Sequence, residues 1–200
     1  MKKLALLLLF LLSAHFFAQS TETIRTLFQK MKKGANIDRN DKAVYNLLDE
    51  FYNKSLQAHN DEMASETVEK IQMLASDKNT KNLHILMLFL MYQQHISQTA
   101  MVGKPSNSEF QIETMRLLED ETKDVYGKIP VIIYIYKYEA LESGKEEDQA
   151  RTTVAQGLKE YPDSVPLKVY SYLNTKNEAI KNDLIKNHAN HWMVKQFEIQ

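Results

Sequence analysis

The chain has 200 residues, 44% of them hydrophobic and 26% charged, with no cysteine and a formal net charge of −1. Without cysteine there is no disulfide framework, thiolate zinc site, cysteine nucleophile or cysteine-linked lipid anchor. The apolar content, with only 5 glycines and 4 prolines, excludes an extended disordered chain, and the near-neutral charge gives no electrostatic footprint for nucleic acid.

Residues 1–18 read MKKLALLLLFLLSAHFFA. Lys2 and Lys3 precede an unbroken apolar run, Leu4 to Leu12, after which polarity rises and small residues appear. This is the layout of a secretory signal peptide, and its apolar core is shorter than the roughly 20 residues that span a bilayer. Ala18 is the expected last residue of the leader, with Ala14 as the alternative, because Phe16 departs from the small-x-small cleavage rule. Removing 18 of the 200 residues leaves 182, and loss of both leader lysines takes the basic count from 25 to 23 against 26 acidic side chains, a net charge of −3. No later stretch reaches spanning length, so the expected product is exported, periplasmic or extracellular, without a transmembrane span.

Helical spacing recurs through the remaining single domain, 19–200. Ile24, Leu27, Phe28 and Met31 form a first stripe, ended by Gly34. Val44, Leu47, Leu48 and Phe51 form a second after the candidate caps Asp38 and Asp41, and Met63, Thr67, Ile71 and Leu74 form a third. Leu83 to Tyr92 (LHILMLFLMY) is apolar around its whole circumference and predicts a helix buried on all sides. The loop 102–108, with Gly103 and Pro105, is the one candidate subdivision. A long helix follows with Ile112, Met115, Leu118 and Val125 on one face, closed by Gly127 and Pro130. Shorter helices are expected over 131–142, 146–160, 166–173, 178–188 and 191–198. Val131 to Tyr138 (VIIYIYKY) alone would suit a strand, but no partner strand is visible to satisfy its backbone, so it reads as helix.

Pro130-Val-Ile-Ile-Tyr-Ile-Tyr136 aligns with Pro166-Leu-Lys-Val-Tyr-Ser-Tyr172 at an offset of 36, and the helix between them is closed by Tyr161-Pro162. This segment resembles a tetratricopeptide repeat. Tyr134 takes the family's first aromatic place, Leu141 the later large one, Ala150 and Gly157 the small places of the second helix, Val154 the large place between them, and Pro162 the terminal place. Small residues there let the second helix approach the first closely, and the aromatic fills the gap between neighbouring pairs. Lys137 and Tyr138 depart from the family's Leu-Gly pair, and the repeat beginning at Pro166 is shortened. The resemblance implies an all-α fold of antiparallel helix pairs, stacked as a short, irregular solenoid.

The chemistry-bearing residues are few. His188 and His191 are three apart and would share a face of a continuous helix, the spacing of a two-histidine metal site, although Asn190 interrupts it. His84 reads as a hydrogen-bonded core histidine. The acidic runs Glu119-Asp120-Glu121 and Glu146-Glu147-Asp148 read as solvated or helix-capping charge. Seven of the 10 tyrosines lie between 126 and 172. Tyr134, Tyr136, Tyr138, Tyr170 and Tyr172 fall on different faces of neighbouring helices, so some are expected at the surface as a candidate binding set, with inter-helix packing as the simpler account. Asp163-Ser164-Val165 resembles a short bacterial O-glycosylation acceptor, with helix capping as the simpler account. The expectation is a non-catalytic, cofactor-free binding scaffold for a protein or peptide. The alternatives are an envelope hydrolase or metal enzyme using His188 and His191, and a tyrosine-lined glycan-binding module.

Overall fold

A computed structural model describes residues 21–58, 65–102 and 107–200. The expected leader at 1–18, Met63 of the third stripe and the centre of the 102–108 loop lie outside this set. Every regular element among the described residues is helical: α1 (Thr21–Gly34), α2 (Ala43–Tyr52), α3 (Ser65–Ser76), α4 (Leu83–Val102), α5 (Ser108–Tyr126), α6 (Val131–Ser143), α7 (Glu147–Glu160), α8 (Val165–Thr175), α9 (Glu178–His188) and α10 (Trp192–Gln196). A π-helical turn, Asn53–Gln57, prolongs α2. The sequence stripes are the buried faces: Ile24 and Phe28 in α1, and Val44, Leu47, Leu48 and Phe51 in α2.

Successive helices pack as antiparallel pairs from α5 to α9, forming a short, irregular α-solenoid. Side chains from both sides of the 102–108 loop share one core. The centre of that core is α6. Val131 to Tyr136, Tyr138, Ala140 and Leu141 are all buried, because α5, α7 and α2 pack around the helix and Phe89 and Tyr92 of α4 set their rings beside Tyr136. Burial on every side removes the polar face that produces a helical period. That is why VIIYIYKY carries no clear helical signature and yet is helix.

Two glycines mark close approaches. A Cβ on Gly157 would stand 3.1 Å from Cβ and Cγ of Tyr134 and 2.9 Å from Cδ1 of Leu167, so α6, α7 and α8 meet there. A Cβ on Gly144, in the α6–α7 turn, would lie 2.6 Å from Cδ1 of Ile112 in α5. Ala150 and Val154 complete the buried face of α7, while Pro162 is exposed in the turn before α8.

The two aligned segments differ in detail. Pro130 is the N-cap residue of α6, whereas Pro166 lies inside the first turn of α8, whose N-cap is Ser164. Tyr134 packs on its own pair at Gly157. Its counterpart Tyr170 turns back to α6, its ring 4.3 Å from that of Tyr138.

The N-terminal helices fold onto this array. α2 lies on α6 and the π-helical turn on α8. The Tyr52 hydroxyl donates to Ser164 Oγ at 2.8 Å, and Gln57 accepts from the Val165 amide at 3.0 Å and donates to the Asp163 carbonyl at 3.2 Å. From the other end, His191 Nε2 and Trp192 Nε1 both reach the Leu56 carbonyl, at 2.9 and 3.2 Å. The face shared by α6 and α8 is therefore covered by the chain itself.

Candidate functional site

The tyrosines expected at the surface are mostly inside. Tyr134, Tyr136, Tyr138 and Tyr170 are buried, and only Tyr172 is half-exposed, beneath Lys176 Nζ at 5.4 Å from its ring centre. This corrects the candidate binding set. Tyr136 is covered by Phe89 and Tyr92 of α4, Tyr134 closes on Gly157 of α7, and Tyr138 and Tyr170 pack on each other between α6 and α8. Their hydroxyls are used internally: Tyr134 donates to Glu160 at 2.8 Å, Tyr138 to Asn174 at 3.3 Å, and Tyr170 to Glu139. Burial pushes the Glu139 carboxyl up to about 7, with the Tyr170 hydrogen bond opposing the rise. Burial and then the Glu139 charge hold the Tyr170 phenol far above its ordinary value. The pair is a polar bridge between α6 and α8.

The histidine pair does not form a site. His191 is fully buried. Its Nε2 faces the Leu56 carbonyl and its Nδ1 accepts from the Met193 amide at 3.2 Å, so both ring nitrogens are spent on the backbone at the start of α10. His188 Nε2 lies 3.9 Å from Asp183. Among the described residues no group of three or more His, Asp or Glu side chains is arranged to hold a metal ion. Ser164 is also buried, and its Oγ accepts from the Leu167 amide at 3.4 Å. It is a helix cap and not an accessible acceptor.

The structure gathers charge at a place the sequence does not flag. Glu113 and Glu121, eight residues apart on α5, are both buried, each 3% exposed. Arg25 of α1 grips Glu113 through two contacts, Nε to Oε1 at 2.7 Å and Nη2 to Oε2 at 3.0 Å. Lys32 of α1 pairs with Glu121, whose other oxygen lies 2.7 Å from His84 Nε2. Beyond the end of α1, Arg39 pairs with Asp124 at 2.9 Å. Burial pushes the Glu121 carboxyl up, but the hydrogen bonds from His84 and Lys32 outweigh it and hold the group below the ordinary glutamate range. His84 is thus the hydrogen-bonded core histidine expected from sequence. The run Glu119-Asp120-Glu121 is corrected: Glu119 pairs with Lys137 of α6 and Glu121 is buried, leaving only Asp120 exposed. A signal was present, since Glu121 sits three residues after the core position Leu118 and one before the buried Thr122, at the edge of the apolar face.

A second missed group is a row of half-buried tyrosines from three elements. The rings of Tyr45 and Tyr126 meet edge-on at 5.3 Å, and the hydroxyls of Tyr45 and Tyr161 lie 3.3 Å apart. Lys42 and Lys128 stand over the outer rings, at 4.9 and 4.4 Å. No helix among the described residues is long and apolar enough to cross a membrane. No protein-family model matches the chain, and no curated protein or solved structure matches it either.

Proposed function

We propose that the protein is an exported, non-catalytic helical-repeat scaffold, resembling tetratricopeptide-repeat domains, that binds a protein or peptide partner in the bacterial envelope. The observation that carries the reading is the junction at Gly157, where an aromatic of one helix and a leucine of the next close on a residue without a side chain. That is the packing by which stacked helix pairs build extended recognition surfaces. The leader at 1–18 supports export. The other two readings have lost their residues, because His191 is committed to backbone groups and four of the five proposed sugar-stacking rings are buried.

The test is capture from the native cell envelope with the tagged protein, followed by reconstitution from purified components. A partner that binds the purified chain saturably supports the reading, as does a native N-terminus at Gln19 or His15. A native chain that keeps Met1 and the leader, or a purified chain that turns over an envelope polymer, contradicts it.

A further inference from the structure

α1 differs from the helices it touches. It fully buries only Ile24 and Phe28 and half-buries Leu27, Met31 and Lys32, while its other side chains with an assigned exposure face water. It packs chiefly on α5 and α4. Its polar anchors are the ion pairs Arg25–Glu113 and Lys32–Glu121, and its last turn carries two lysines, Lys32 and Lys33. The floor beneath it is acidic and apolar at once: Glu113 and Glu121 are buried there, and the His84 ring stands 6.1 Å from that of Phe28. An amphipathic helix with basic flanks laid in a groove whose acids match them is a standard helix-in-groove recognition geometry.

The connection to α2 is pinned separately. The Asn82 side chain accepts from the Asp38 amide at 3.0 Å and donates to the Asp38 carbonyl at 2.7 Å, and its amide donates to the Asn36 carbonyl at 2.9 Å. α1 can therefore leave its seat by rotating at residues 34–35, ahead of the first pinned carbonyl, without disturbing α2, which is fixed to α6 and α4.

We propose that the α4–α5 face under α1 is a docking groove for a basic amphipathic helix, filled in cis by α1 and open to exchange with a partner helix of the same pattern. The pattern is two apolar residues four apart with basic residues one and eight positions after the first, as in Ile24, Phe28, Arg25 and Lys32. This rests on the scaffold reading and names the partner's chemistry. Removing one acid of the groove weakens either helix, whereas removing a cation from α1 weakens only the cis occupant.

The test uses the full secreted chain and a labelled peptide of residues 21–34, so it needs no external partner and can fail while the scaffold reading stands. Hydrogen exchange is expected to show α1 opening at least tenfold more often than α4 to α6. The peptide should bind saturably and lose affinity in high salt. Arg25→Gln in the chain should strengthen peptide binding about tenfold, because the competitor loses its charge-assisted fork, and Glu113→Gln added to that variant should weaken it again, because only the peptide still uses the acid. A merely damaged fold cannot produce these opposite signs. The proposal is overturned if α1 exchanges only with the core, if the peptide does not bind, if both variants shift binding the same way, or if the chain instead pairs with a second copy through swapped α1 helices.

Discussion

Gly157 lies directly against Tyr134: a Cβ at 157 would stand 3.1 Å from Cβ and Cγ of that ring, with Leu167 closing the third side. α7 reaches this depth only because position 157 carries no side chain. Gly157→Leu should destabilise the fold by about 1–3 kcal/mol through overpacking, read as a fall in the urea midpoint. Gly34→Ala is the control, since a Cβ there meets nothing within 4 Å. It should leave the midpoint nearly unchanged.

Glu139 should make stability fall as pH rises. Its native carboxyl titrates at about 7, against an ordinary 4.5 when unfolded. Between those values the native state binds more protons than the unfolded state, so stability is full below about 4.5 and declines through about 7. The loss should be on the order of 3 kcal/mol. Glu139→Gln removes the ionisation, and unfolding curves from pH 4.5 to 8 should lose this slope. A slope unchanged in the variant would assign the effect to another group.

Glu121 has the opposite sign. Its native carboxyl is held below 4.5, so its contribution is present above the unfolded value and lost as pH falls through the lowered native one. Glu121→Ala strands His84 in the core and releases Lys32. Leaving the buried His84 ring nitrogen without its partner costs about 1–3 kcal/mol, so chemical denaturation should show a clear loss while far-ultraviolet circular dichroism remains helical.

Ser164 holds the start of α8 and also receives the Tyr52 hydroxyl. Ser164→Ala should cost about 1–2 kcal/mol, combining a lost cap with a lost buried hydrogen bond. Tyr52→Phe in the Ser164→Ala background should then cost much less than it does alone. Additive effects would show that the two groups are not coupled.

Local contacts were readable and distant ones were not. The close approach at Gly157 follows from residues about 25 positions apart in one repeat, and the burial of His84 from its place within an apolar helix. The burial of Tyr136 depends on Phe89 and Tyr92 of α4, whose arrival over α6 no local pattern encodes. The burial of Glu121 is hidden for the same reason. A carboxylate in an acidic run reads as solvated until His84 and Lys32, 37 and 89 residues away in sequence, are brought to it. The π-helical turn likewise has no periodic signature, and its purpose appears only where Gln57 meets α8.

The most direct measurement of the central claim is a calorimetric titration of the purified chain with a protein that it captures from the native cell. The scaffold account predicts saturable binding at a fixed ratio with neither component chemically changed. Absence of saturable binding, or conversion of the titrant into a product, would contradict it.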